Sequence, residues 1–296
     1  MSRDPLLSIL MVAYNSGEYL DGCLRSIAEN VSIPFEVILL DNASSEAISP
    51  EITSRYPWLR IIRSEKNLGF NAGNNLAVKS ARGEFLLLLN IDTVLLTDVT
   101  QGIRLLESGL RIGVVGAEAY DGSGKLRPSA GHFPTPWRLW LFRSLWTKPD
   151  VPRGPADLHA FEADWIEGSF LMTTAAHWVS VAGFDERNFL YGNDVDFCKS
   201  TKQRELAVVH CTDIRYTHFC GYDVKRMGNL YAGFREYHQK FSGPVERLIA
   251  DFVLRTGLLL RILAYGLWFY LSRNTRIGDK FRRYVEVQRN WVHLTP

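Results

Sequence analysis

Three apolar runs in the first third of the chain each stop abruptly at Asp or Asn. Ser8 to Asn15 reads SILMVAYN, Phe35 to Asn42 reads FEVILLDN and Glu84 to Asp92 reads EFLLLLNID. Strands covered on both faces require Val, Ile and Leu at successive positions, and in an open parallel sheet their carboxyl ends border the crevice where ligands sit. The polar residues that end the three runs are therefore site candidates, although one such ending alone is ordinary turn chemistry. Between the runs the period changes. Tyr19, Leu20, Cys23, Leu24 and Ile27 recur at helical spacing behind Ser16, a candidate cap. Leu59 to Ile62, Phe85 to Leu89 and Ile112 to Val115 predict further strands. The segment GFNAGNNLAVKSA, and the stretch carrying Ile103, Leu105, Leu106 and Leu110 behind Thr97 or Asp98, predict helices. Such alternation implies an α/β chain with a mostly parallel, doubly wound sheet.

The texture changes near Ala117. Glu118 to Trp146 is rich in Gly, Pro, Ser and aromatics, which predicts a hairpin and an extended loop covering the cleft. Lys148 to Pro155 reads as a mobile connection, Trp165 to Thr173 as a strand and Ala175 to Val181 as a short helix. With 296 residues, 46% hydrophobic and 22% charged, there is material for one large α/β domain or a domain with an appendage. A formal net charge of +2 gives no reason to expect nucleic acid as a partner. Cys23, Cys198, Cys211 and Cys220 form no CxxC pair, and the start MSRDPLLSIL lacks the apolar stretch of a secretion signal. A reducing cytoplasm is the expectation.

The ordered set VAYNS at Val12, DNAS at Asp41, NLGFNAGNN at Asn67, LNIDT at Leu89, the W..GS of Trp165 to Ser169, and GFDERNFLYGNDVDFC from Gly183 resembles family 2 glycosyltransferases of the GT-A fold. The spacing is most similar to rhamnosyltransferase-type enzymes of cell-surface polysaccharide assembly. The likeness runs from about Leu6 to Gly221 and implies an inverting single displacement from a nucleotide-diphosphate sugar. It also implies a catalytic domain over 1–240, with a nucleotide-sugar half to 117 and an acceptor half from 118. The donor would be a dTDP- or UDP-sugar, and the acceptor a glycan or polyprenyl-linked glycan.

The chemistry gives these residue types independent reasons. A departing nucleoside diphosphate needs its charge met by a helix amino terminus or a cation held by carboxylates. The resemblance puts Asp92 on that cation, as the last residue of a motif whose first Asp is here Asn90; otherwise Asp92 is a cap or turn residue. Oxygen ligands with room for phosphates suit Mg²⁺ or Mn²⁺, and one imidazole favours Mn²⁺. His218 matches the family's His position, against the alternative of a packed or solvated histidine closing a strand. Inversion needs a base opposite the leaving group. Asp194 is the choice from the family pattern, with Asn193 replacing its acidic neighbour; Asp196 and Asp185 are rivals, and helix capping is the alternative role. For the nucleotide, the resemblance points to Ala13, Tyr14, Asn15, Asp41, Asn67, Gly69, Asn71 and Asn75. Trp165 and Gly168 match positions on the sugar and acceptor side, where Trp165 is either a stacking surface or a core tryptophan.

The region 241–296 differs in character. Ile262 to Leu271 is wholly apolar, but Arg255 and Arg261 interrupt any longer span, so it is too short to cross roughly 30 Å of hydrocarbon. Basic residues follow it, which suits an amphipathic helix on an anionic membrane surface; an oligomer contact or internal packing is the alternative. A peripheral enzyme at the inner face of the cytoplasmic membrane is the expectation, with a catalytic part that survives truncation before Val245. The competing class is a non-catalytic nucleotide-sugar-binding scaffold, kept open by Asn90 and Asn193. A dinucleotide oxidoreductase lacks its GxGxxG turn after the first strand. The sequence leaves the oligomeric state open.

Overall fold

The structure is a computed structural model, and it describes residues 4–141, 159–187, 189–219 and 227–291. The expected connection at Lys148 to Pro155, Cys220 and the last histidine, His293, lie outside the described residues. The amino-terminal half alternates as its periodicity predicts: β1 (Leu7–Ala13), α1 (Gly17–Asn30), β2 (Phe35–Asp41), α2 (Pro50–Arg55), β3 (Leu59–Arg63), α3 (Gly69–Val78) and β4 (Phe85–Leu89). There follow β5 (Thr93–Leu95), α4 (Thr100–Glu107), β6 (Ile112–Tyr120), β7 (Leu126–Arg127), β8 (Ala130–Gly131) and α5 (Pro136–Leu141). Next come β9 (Ala160–Glu162), β10 (Trp165–Ile166), β11 (Phe170–Thr174), α6 (Ala175–Ser180), α7 (Asn193–Lys202) and β12 (Ala207–His218). The helices α8 (Met227–Phe241), α9 (Pro244–Ser272) and α10 (Thr275–Arg289) close the described chain.

The main sheet runs β3-β2-β1-β4-β11-β6-β12-β5. Its first four strands are parallel, β11 lies antiparallel between β4 and β6, and β12 returns parallel to β6. Every residue of β4 is buried, and so are six of the seven in each of β1 and β2. Burial on both faces explains why their sequences are continuous apolar runs.

Three local expectations change. Ser16 precedes α1 but its side chain makes no capping hydrogen bond. Asp98 accepts from the backbone N–H groups of Ser32 and Thr100, so it ties the start of α4 to the loop after α1. The strand expected over Trp165 to Thr173 is two strands, β10 and β11, separated by Glu167-Gly168-Ser169. That break exists because Glu167 carries a charge into a polar cluster while Gly168 packs on α7. A Cβ at Gly168 would stand 3.3 Å from Asn193 Nδ2 and 3.5 Å from Asp194 Cβ.

Two compact units emerge. The first contains described residues 4–132, 159–189 without 188, and 193–219; the second contains 133–141, 190–192 and 227–291. The second unit has its own apolar core, in which Leu139, Tyr231, Phe234, Leu254, Leu258 and Trp291 meet.

Candidate active site

The carboxyl ends of β1 and β2 are tied to each other by side chains from the predicted set. Asn15 adopts a left-handed backbone conformation (φ 52°), and its Oδ1 accepts from both the N–H and the hydroxyl of Ser45. Asp41 is buried; one carboxylate oxygen accepts from Ser44 N–H at 2.9 Å and the other lies 3.6 Å from Arg63. Ala13 is buried beneath this rim, and Tyr14 stands half exposed above it. Asn42, which also ends β2, donates to Asn67 Oδ1 and the Gly69 carbonyl and accepts from Leu68 N–H. Its amide therefore fixes the turn into α3. Gly69 has φ +80°, and a Cβ there would meet the Phe189 ring at 2.6 Å, so this turn requires glycine.

Asn71 and Asn75 point elsewhere. Asn71 donates to the Asp185 carbonyl, and its buried Oδ1 has no hydrogen-bond partner among the described residues. Asn75 accepts from Phe184 N–H and donates to the Phe184 carbonyl and Glu186, so both ends of its amide hold the 184–186 turn.

The second cluster forms where β4 and β12 end. Asp92 Oδ2 lies 3.3 Å from His218 Nε2, and both side chains are largely shielded from solvent. On the other side of the ring, His218 Nδ1 lies 3.5 Å from Glu167 Oε1 and 2.9 Å from Arg127 Nη1. Arg127 also reaches Glu167 Oε1 at 2.8 Å. Burial acts to lower the His218 pKa, yet hydrogen bonds and charge from Asp92 and Glu167 outweigh it and push it up to about 9. Nδ1 can accept from Arg127 only when unprotonated, so Arg127 and the imidazolium compete for Glu167 Oε1. Burial acts to raise the Glu167 pKa, but the hydrogen bond from His218 and the charges of Arg127 and His218 hold it below its ordinary value.

The third cluster is the start of α7. Asp194 Oδ2 accepts from Gly168 N–H at 3.1 Å, and Oδ1 lies 2.9 Å from Val195 N–H. Desolvation pushes its pKa up to about 6; the two backbone donors oppose this and the nearby Glu167 charge adds to it. Asn193, next to it, is buried, and its Nδ2 lacks a hydrogen-bond partner among the described residues. Asp185, the rival from the preceding turn, is paired with Arg187.

One tripeptide connects these parts. Glu167 reaches His218 and Arg127, Gly168 binds Asp194, and the Ser169 carbonyl accepts from Asn90 N–H at the end of β4. Asn90 in turn holds the following turn through its carbonyl, which accepts from Thr93 Oγ1 at 2.6 Å. Trp165, just upstream, is only 8% exposed, and its indole N–H donates to the His132 carbonyl. Of its two readings, the core tryptophan is the one this packing describes. Glu167 and Arg127 do not stand out in the sequence; the signal available is a charged residue interrupting an apolar segment, WIEGSF.

Among the described residues no three His, Cys, Asp or Glu side chains form a self-contained cation site. Asp92 and His218 supply one carboxylate oxygen and one imidazole nitrogen at a shared point. Once His218 gives up the Nε2 proton that faces Asp92, that donor set fits a Mn²⁺ or Mg²⁺ ion whose remaining ligands are phosphate oxygens and water. Beside them the buried Glu167 Oε2 lacks a hydrogen-bond partner among the described residues.

Polar residues at the ends of β1, β2 and β4 of a mixed sheet, with an acid at the start of α7, fit the GT-A fold. Residues 8–166 match the glycosyl transferase family 2, and the chain belongs to that family. It is 28% identical over 212 residues to an N-acetylglucosaminyl-diphospho-decaprenol L-rhamnosyltransferase of Mycobacterium tuberculosis, covering 64% of this chain and 68% of the relative. It is 21% identical to the low-salt glycan biosynthesis hexosyltransferase Agl10 of Haloferax volcanii, over 79% of this chain and 74% of the relative. Among solved structures, GalNAc-T7 with UDP, GalNAc and Mn²⁺ superposes with a TM-score of 0.61 at 14% identity, over 81% of this chain but 48% of that one. S. aureus TarS 1–349 in complex with UDP gives 0.53 at 16% identity, over 95% and 80%. The chain is thus a rhamnosyltransferase-like glycosyltransferase.

Proposed function

We propose that the protein inverts the anomeric carbon while moving a hexose or deoxyhexose, rhamnose in the favoured case, from a dTDP- or UDP-sugar to a lipid-linked glycan. The observation that carries this reading is the Glu167-Gly168-Ser169 turn, which joins the Asp92–His218 pair to the Asp194 carboxylate. The name of the mycobacterial relative supports a rhamnosyl donor and a polyprenyl-linked acceptor.

In this reading Ala13, Tyr14, Asn15 and Asp41 form the base and ribose end of the donor site, and Asn67, Gly69 and Asn90 continue it. Asp92 and His218 would hold a divalent cation, which when bound supplies positive charge for the diphosphate. Asp194 accepts the proton of the acceptor hydroxyl as its oxygen bonds to the anomeric carbon. The bond from that carbon to the diphosphate breaks, and the nucleoside diphosphate leaves with the electron pair. A carboxyl group with a pKa of about 6 suits this proton transfer, because it is ionised at neutral pH yet a better base than a solvated aspartate. Gly168 N–H holds one oxygen of Asp194 and leaves the rotamer fixed. A lipid-linked acceptor would set the enzyme at the inner face of the cytoplasmic membrane, and cell-surface polysaccharide assembly is the corresponding role.

The test is transfer from a panel of dTDP- and UDP-sugars, with Mn²⁺ or Mg²⁺, to a polyprenyl-diphosphate-linked N-acetylglucosamine. NMR of the product reads the anomeric configuration. Retention of configuration, or transfer only to soluble acceptors, would remove the reading.

A further inference from the structure

Helix α9 is apolar on two opposite sides. One side, carrying Ala250, Leu254 and Leu258, is buried in the core of the second unit. The other carries Leu248, Phe252, Leu263, Leu267, Tyr270 and Leu271, each between 62% and 72% exposed. Their spacing of three, four and seven or more residues keeps them on one stripe, about 35 Å long at 1.5 Å per residue. Thr256 interrupts the stripe chemically but not physically, because its hydroxyl donates to the Phe252 carbonyl. Of the charged residues near the stripe, Asp251 pairs with Arg235, and Arg255, one turn on from Phe252, lies over the Trp291 ring. A continuous apolar stripe of this length facing water marks a surface that another apolar phase covers.

Charge identifies that phase. Residues 244–289 hold nine Lys or Arg against four Asp or Glu, although the whole chain has a formal net charge of only +2. Arg273 follows the stripe directly and lies 5.2 Å from the Tyr270 ring; Arg276 and Lys280 are exposed on the first turns of α10. Contact with a second copy through this face would bring like-charged surfaces together. An anionic bilayer meets both requirements, because the stripe enters the acyl boundary while the cations meet headgroup phosphates. No helix among the described residues is long and apolar enough to cross a membrane, which leaves the in-plane arrangement.

We infer that the exposed stripe of α9, with Arg273, Arg276 and Lys280, is a docking surface for an anionic lipid bilayer. This deepens the reading of a lipid-linked acceptor, on which it rests for its place in the enzyme's work. The test is flotation of the full chain with vesicles of phosphatidylglycerol and phosphatidylcholine in equal parts, and with phosphatidylcholine alone. The wild type should float with the mixed vesicles, more weakly with the neutral ones, and less as salt rises. Leu263→Glu with Leu267→Glu should lower binding to both by at least about tenfold. Arg276→Gln with Lys280→Gln should lower binding to the anionic vesicles alone, by about tenfold or more. Melting and nucleotide binding should be unchanged; should the double Glu variant fail to fold, Leu263→Gln alone replaces it. Wild type that ignores anionic vesicles, or a double Glu variant that floats like wild type, would overturn the inference. So would a dimer in sedimentation that the double Glu variant dissociates while vesicles go unbound. Flotation that persists without transfer to a polyprenyl-linked acceptor would overturn the functional reading and leave the surface standing.

Discussion

Asp194 is ordinary in type and unusual in setting. Its carboxylate receives backbone hydrogen bonds that favour the ionised form, yet burial and the Glu167 charge still push its pKa up to about 6. The folded state therefore holds this proton more tightly than the unfolded chain, and kcat/KM should fall with unit slope below about pH 6 as the base is protonated. Asp194→Asn keeps the acceptor for Gly168 N–H but cannot take up the proton. Turnover should drop about a hundredfold or more with donor affinity nearly unchanged, and the acid limb near pH 6 should vanish. Steady-state kinetics beside calorimetric nucleotide binding check both; near-normal turnover would return the role to Asp196 or Asp185. Glu167 acts through His218. Glu167→Gln should weaken Mn²⁺ binding in the presence of nucleoside diphosphate by about tenfold, read by electron paramagnetic resonance, because a ligating imidazole loses its carboxylate partner. An unchanged Mn²⁺ affinity would make Glu167 a packing residue.

At the scale of elements, β1, β2 and β4 are legible in the sequence because burial on both faces admits little besides Val, Ile and Leu. Their polar ends are legible for the same reason: the run must stop where the cleft begins. The Glu167 to Ser169 break is hidden, since Ile166 and Phe170 on either side read as one apolar strand and the partners of Glu167 lie far along the chain, Arg127 40 residues away. Arg127 itself ends the two-residue strand β7, within a stretch rich in Gly and Pro that carries no period. Lone histidines are equally opaque. His177 in α6 bonds to Thr201, and His210 in β12 bonds to Ser129 and stacks on Phe161. Burial pushes both down to about 4, with Arg204 adding to the effect at His177. Above about pH 6.5 neither folded nor unfolded chain protonates them. Between about 6.5 and 4 the unfolded chain gains the protons and the folded one does not, so stability should fall by on the order of a few kcal/mol, levelling off below about 4. Urea midpoints between pH 7 and 4.5 read this. His210→Gln should flatten the slope, and an equally steep profile in the variant would assign the acid limb to other groups.

For the whole molecule, a cut before Val245 is what the sequence invites, because Asp41, Asp92, Asp194 and His218 all precede it. The packing argues against it. Met227, Tyr231 and Phe234 on α8 are buried in a core whose other wall is Ala250, Leu254 and Leu258 on α9 and Val287 on α10, closed by Trp291. Removing α9 and α10 would expose those three α8 side chains to water. At roughly 1.5–3 kcal/mol for each large apolar side chain, the loss is comparable to the net stability of a domain. Arg235 would also lose its ion pair to Asp251 and its bond to the Trp291 carbonyl. A chain ending at Pro244 should therefore aggregate or melt well below the full chain. The same cut combined with Met227→Gln, Tyr231→Gln and Phe234→Gln should recover solubility without recovering a cooperative transition for α8. Thermal unfolding followed by circular dichroism beside light scattering separates the outcomes. A truncated chain that stays monomeric and melts like the parent would mean that the core shared by α8, α9 and α10 contributes little to stability.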